Sequence, residues 1–143
     1  NNSIGTHMFK NYYYKKSEND KEMDVLINGD LSCAYYVSTI LLIFSLIDRP
    51  HFRVDSTISA MEKHGWIKIN KLKAGCIIIW EPIYQNGESH YHIGFYIGES
   101  QAISNRSSLG MPGEHALHYS GLDKENNKKK AEIHSLYWHP DLG

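Results

Sequence analysis

The chain changes its hydrophobic period once, and that change limits the folds open to it. From about Ser32 to Ile47 the apolar residues Ala34, Val37, Ile40, Leu41, Phe44 and Ile47 recur at three- and four-residue spacings, which predicts a helix with one core-facing stripe. Ser32 stands at its N-cap, and Pro50 in "DRP" ends it, since proline disfavours a helical residue before it. A second helix is predicted over 56–64, capped by Asp55 or Ser56, with Gly65 suited to the left-handed position after its last turn. Beyond it come short runs rich in branched and aromatic residues: "CIIIW" (76–80), "YHIGFYIG" (91–98), "QAIS" (101–104) and "AEIHSLYWH" (131–139). Helices first and strands afterwards predict an α+β domain with an antiparallel sheet.

A chain of 143 residues, 41% of them hydrophobic, suits one domain with a real core. That domain is assigned to 8–143. "GTHM" before Phe9 reads as a cloning scar, so residues 1–7 are taken as a tag or linker remnant and left out of the fold; no signal peptide is read there. Residues 8–24 are polar and Tyr-rich and are expected to wrap the surface. A formal charge of -1 provides no electrostatic reason to bind nucleic acid or an anionic membrane. The one dense basic run, Lys128 to Lys130, reads as a solvated turn or loop. The most apolar stretch, Val37 to Ile47, is interrupted by Ser38, Thr39 and Ser45 and falls short of the roughly 20 residues a bilayer needs, so no transmembrane segment is expected. Cys33 and Cys76 form neither a disulfide framework nor a CxxC pair, and no metal or cofactor is expected.

Cys33 lies in the first turn of the predicted helix. The positive end of the helix dipole and the unpaired amides there favour thiolate over thiol and can hold an oxyanion, as a nucleophile requires. Position alone leaves open a buried packing role. A nucleophilic Cys needs a base, and in "HYHIGFYIG" strand alternation puts His90, His92, Gly94 and Tyr96 on one face. Gly94 beside His92 would admit a second backbone, such as the start of the Cys33 helix. The competing role for His92 is a polar residue on an exposed strand face. The next run offers Ser104 and Asn105 as the group that orients the imidazole, and the residues alone do not choose between them.

Three separated segments resemble the NlpC/P60 cysteine peptidases, a branch of the papain-like superfamily related to the CHAP amidases. "LSCAYYVSTIL" resembles the family's Cys-bearing helix, "LKAGCIIIW" its L-x-P-G-D-L-V-F-W strand, and "HIGFYIGESQAIS" its H-V-G-I-Y-I-G strand and the return strand; with "HGWIKI" the resemblance covers about 30–105. It implies a papain-like core, a Cys-bearing helix packed on an antiparallel sheet that carries His. It also implies Cys33 as nucleophile, His92 as base and then acid, and Ser104 or Asn105 at the third position. The implied substrate is peptidoglycan or a related peptide, cut at an amide bond by an endopeptidase or amidase, and the implied location is secreted or cell-envelope. Ser32 replaces the family's usual Asp, Tyr35 a small Gly and Cys76 an Asp, so Ser32 and Tyr35 are expected to shape the substrate pocket, with His90 lining it. Cys76 is expected to be a buried strand residue. Acyl transfer on the same Cys/His pair, or a wall-binding domain without activity, are the competing functions. His115 and His118, three apart, have the look of metal ligands without a third partner nearby. Trp66, Trp80, Trp138, Tyr84, Tyr91 and Tyr119 are expected to be packing residues, a few of them free to wall a binding site.

Overall fold

A computed structural model describes residues 2–27, 31–85 and 87–143 of the chain, with the side chain of Gln85 outside the description. A minimal ladder, β1 (Tyr13–Tyr14) with β2 (Met23–Asp24), precedes two helices, α1 (Cys33–Ile43) and α2 (Val54–Lys63). The strands β3 (Ile67–Ile69), β4 (Ile77–Gln85), β5 (Glu88–Gly98), β6 (Gln101–Arg106) and β7 (Met111–Ala116) follow. The chain then forms a hairpin of β8 (Tyr119–Leu122) and β9 (Lys128–Ala131), and ends with β10 (Ile133–Trp138) and a short 3-10 turn. The main sheet has six strands in the order β3-β10-β4-β5-β6-β7, every neighbour antiparallel. This is an α+β architecture, as the period change predicts. Among the described residues no helix is long and apolar enough to cross a membrane.

The sheet is buried on both faces, which explains why "CIIIW" is apolar without alternation. On one face Ala34, Tyr36, Val37 and Leu41 of α1 pack with Ile77, Ile79, Ile93, Ile103 and Tyr137. On the other, Cys76, Ile78, Trp80, Ala102, Leu136 and Trp138 are covered by Tyr119 and Ala131 of the β8–β9 hairpin. Cys76 is thus the buried residue expected, and its thiol is shifted upward by burial. The hairpin reverses two expectations. Lys128 to Lys130 are solvent-exposed but form strand β9, and the face of β5 that carries His92 is enclosed by Tyr119.

Helix α1 stops four residues before the predicted end, and not at the proline. Leu46 N–H reaches back to Leu41 C=O (2.9 Å) and Ser45 N–H to Leu42 C=O (2.9 Å), with Ser45 at φ 57. That is a Schellman stop with serine in the usual glycine place. Helix α2 ends the same way at Gly65 (φ 89), as predicted, with Trp66 N–H on Met61 C=O (3.1 Å). Its N-cap is Arg53, two to three residues ahead of the expected Asp55 or Ser56, and its first turn is tied by the Ser56 and Thr57 hydroxyls donating to Arg53 C=O. Ser32 holds the N-cap position of α1 without a side-chain capping bond.

The N-terminal stretch does more than wrap the surface. Phe9 and Leu26 are fully buried, Phe9 in the core under α1. Residues 2–7, excluded from the fold by sequence, touch it through Ser3 Oγ on Tyr36 Oη (2.9 Å) and Gly5 N–H on Pro112 C=O (2.9 Å).

Gly94 admits a close approach, but of a different neighbour from the one expected. A Cβ there would sit 2.5 Å from Ile103 O, 2.8 Å from Ser104 Cβ and 3.0 Å from Trp80 Cη2, on the face away from α1. The glycine closes β5 onto β6, where Gly94 pairs with Ser104. Gly94→Ala should destabilise the fold by about 1–3 kcal/mol, the range for overpacking a tight site, as read from chemical denaturation; an unchanged midpoint would show that the β5–β6 approach has slack.

Candidate functional site

Cys33 is the first residue of α1, so its amide and those following it lack partners within the helix; the first helical bond runs from Tyr36 N–H to Ser32 C=O (2.8 Å). Packing of α1 on β5 brings the sulfur against the Ile93 backbone N–H, one residue beyond His92, and the Cys33 and Ala34 amides also face it. These amides favour the thiolate. Loss of hydration opposes them and is larger, so the thiol is pushed up to about 11. The helix-start expectation of a lowered pKa therefore has the right groups and the wrong net sign.

Cys33 and His92 open onto one cavity of about 440 Å³, lined further by Leu31, Phe52, Arg53, Tyr91 and others. The cavity lies beside a β-bulge: Trp80 pairs with His92 and Ile83 with His90, so β4 spends three residues where β5 spends two. Pro82, without an N–H for the ladder, sits in the bulge. One-to-one pairing resumes past it, and Ile83, His90, Tyr91 and His92 around the bulge all line the cavity.

His92 is 4% exposed, so the polar-surface role for it is ruled out. Its Nε2 lies 2.8 Å from Ser104 Oγ, and Tyr119 stacks on its ring with centroids 3.6 Å apart. Burial, reinforced by the positive charge that His115 would carry, holds its pKa well below the ordinary 6.5. Ser104, fully buried, is in turn 2.7 Å from His115 Nε2. Asn105 is also buried, but alternation along β6 sets it on the face of Ile103, away from Ser104. The choice left open between the two is thereby decided: the hydroxyl of Ser104, not the Asn105 amide, engages the imidazole.

Of the residues expected to shape the pocket, His90 lines it and stands 3.8 Å from Glu88, another lining residue. Tyr35 does not line it. It stacks flat on Phe52 (5.1 Å, 2° between planes), which does, so Tyr35 braces the wall from behind. Ser32 is fully buried beneath the helix start and lines no part of the cavity. The Phe52 loop is pinned by Ser38, whose hydroxyl accepts from His51 N–H at 2.8 Å. Arg53 and Asp55 form a two-point exposed ion pair at the rim (3.1 and 3.2 Å).

Two residues of the site escape the sequence reading in this role. Tyr119 reads as packing and His115 as half of a weak metal pair. In the structure His115 is tied to Ser104, whereas His118 pairs with Glu132 (3.1 Å). Among the described residues no group of three or more His, Cys, Asp or Glu is placed to hold a metal ion. Trp80 is a buried anchor, donating its indole N–H to Leu117 C=O (2.7 Å), while Tyr91, 41% exposed, walls the cavity.

Compared with protein-family models and with curated proteins, the sequence matches none.

The depressed His92 pKa makes stability pH-dependent with a definite sign. The unfolded chain takes up a proton near 6.5 that the folded site refuses, so unfolding free energy should fall as pH drops below 6.5. His51 and His115 shift in the same direction. Denaturation of wild type against His92→Gln from pH 7.5 to 5 isolates the His92 part, and parallel curves would mean that His92 is solvated.

Proposed function

We propose that this protein is a cysteine hydrolase with a papain-like, NlpC/P60-type site, which cleaves an amide bond in peptidoglycan or a related peptide. The observation that carries the reading is that Cys33, at the start of α1, and His92, on β5, line one cavity, with the Nε2 nitrogen of the imidazole engaged by Ser104. The three-segment resemblance supplies the substrate class and, with it, a secreted or cell-envelope location. Phe52 and Tyr91 supply flat walls, and Arg53, Asp55 and Glu88 charges of both signs, suited to a peptide that carries amines and carboxylates.

At neutral pH the pair rests as thiol and neutral imidazole, given a thiol near 11 and an imidazole below 6.5. His92 therefore acts as a general base during attack rather than as a preformed imidazolium. It takes the thiol proton as sulfur bonds to the carbonyl carbon, and the carbonyl oxygen takes up the charge near the first-turn amides. Collapse breaks the C–N bond, and His92 returns the proton to the leaving amine. Water then attacks the thioester, giving a proton to His92, and the sulfur leaves and is reprotonated.

Peptidoglycan fragments incubated with the protein should release a free amine and a free carboxylate, followed by liquid chromatography and mass spectrometry. Cys33→Ala should abolish release and His92→Ala should lower it by about 10²–10⁴-fold, the usual worth of general acid–base catalysis. Both variants should remain folded. Release that survives Cys33→Ala would contradict the reading, and a product joined to an added amine or alcohol in place of water would move it to acyl transfer.

A further inference from the structure

The chain of contacts behind His92 does not end at Ser104. Ser104 Oγ lies between His92 Nε2 (2.8 Å) and His115 Nε2 (2.7 Å), and His115 Nδ1 is 2.7 Å from the Ala116 carbonyl oxygen. A carbonyl oxygen only accepts, so His115 Nδ1 carries a proton and donates it. A neutral imidazole has a single N–H, which leaves His115 Nε2 as a bare acceptor. The donor facing it is the Ser104 hydroxyl, whose one hydrogen is then committed. His92 Nε2 must in turn donate to Ser104 Oγ, and His92 Nδ1 is left bare.

We propose that His115 is a positioning residue: through Ser104 it holds His92 as the Nε2–H tautomer and keeps Nδ1 as the nitrogen that can take a proton from the cavity thiol. This rests on the hydrolase reading for its purpose, though not for its geometry. Both imidazoles are neutral at pH 7, as the relay needs, because burial lowers each; for His115 this outweighs the raising effect of the Ala116 carbonyl and is reinforced by Arg106 on β6, and a charge on His115 would lower His92 further. Tyr119 and Trp80 pack against both rings and carry no charge at that pH. His115 also borders a second cavity, of about 180 Å³, with Arg106, Ser107, His118 and Tyr119, none of which lines the cavity that holds Cys33.

Long-range proton–nitrogen spectra of protein labelled with ¹⁵N-histidine, recorded at pH 8, read each tautomer without any substrate. The expected result is Nδ1–H at His115 and Nε2–H alone at His92. Ser104→Ala and His115→Leu should each convert His92 to a mixture or to Nδ1–H. His115→Gln, whose side-chain carbonyl can accept from Ser104, should restore the wild-type pattern. Amide spectra confirm that the variants fold, and should one not fold, the wild-type tautomers still decide. His92 found as Nδ1–H in wild type, or unmoved by both disrupting variants, overturns the relay. The predicted tautomers in a protein whose Cys33 cleaves no peptidoglycan fragment uphold the relay and overturn the hydrolase reading, so the two failures are told apart.

Discussion

The contact on which the site depends is the packing of α1 against the β4–β5–β6 face. Ala34, Val37 and Leu41 meet Ile79, Ile93 and Ile103 in one buried cluster. Burying a Val, Leu or Ile side chain is worth about 1.5–3 kcal/mol each, so the helix has little freedom to slide. Its first residue is thereby set beside the Ile93 amide, and His92 is the residue before that amide. Both residues are positioned by the core and not by loops of their own.

The opposite face of the sheet prepares the imidazole. The β8–β9 hairpin lays Tyr119 on the His92 ring and helps to bury the His92–Ser104 contact, while His115 at the far end stays part-buried. The same enclosure that orders these hydrogen bonds depresses the basicity of both histidines. On the helix side, three amides face a sulfur that nonetheless resists ionising. Desolvation dominates on both faces, and the consequence is a neutral thiol and a neutral imidazole at neutral pH.

The fold class was legible because hydrophobic period reports burial directly: one helical stripe, a second short helix and a set of branched runs predict α+β with an antiparallel sheet. Cys33 and His92 could be singled out for a related reason, since a helix start and a strand alternation fix where those side chains point, whereas the choice between Ser104 and Asn105 needed the fold, which sets Ser104 Oγ on His92 Nε2. The misses have a common origin in contacts between distant segments. Nothing local to Ser45 marks a Schellman stop, and nothing local to Tyr35 shows that it backs Phe52 instead of facing the cavity. His115 joins the site only because β7 pairs with β6 in a register that sets it opposite Ala102 and within reach of Ser104. One signal was present and unread: Pro82, inside an otherwise regular strand, announces the bulge beside the cavity.

The central claim is that Cys33 and His92 act as one unit although the thiol ionises only near 11. Its most direct test is the rate of Cys33 alkylation by iodoacetamide from pH 6 to 11, in wild type and in His92→Ala, with Cys33→Ser as the blank that removes any Cys76 signal. The account predicts a main inflection well above the ordinary thiol value, together with a wild-type rate at pH 7 to 8 that exceeds that of His92→Ala, because the bare imidazole nitrogen assists proton removal. Superimposable profiles for wild type and His92→Ala would contradict it and leave Cys33 as a packing residue at the start of a helix.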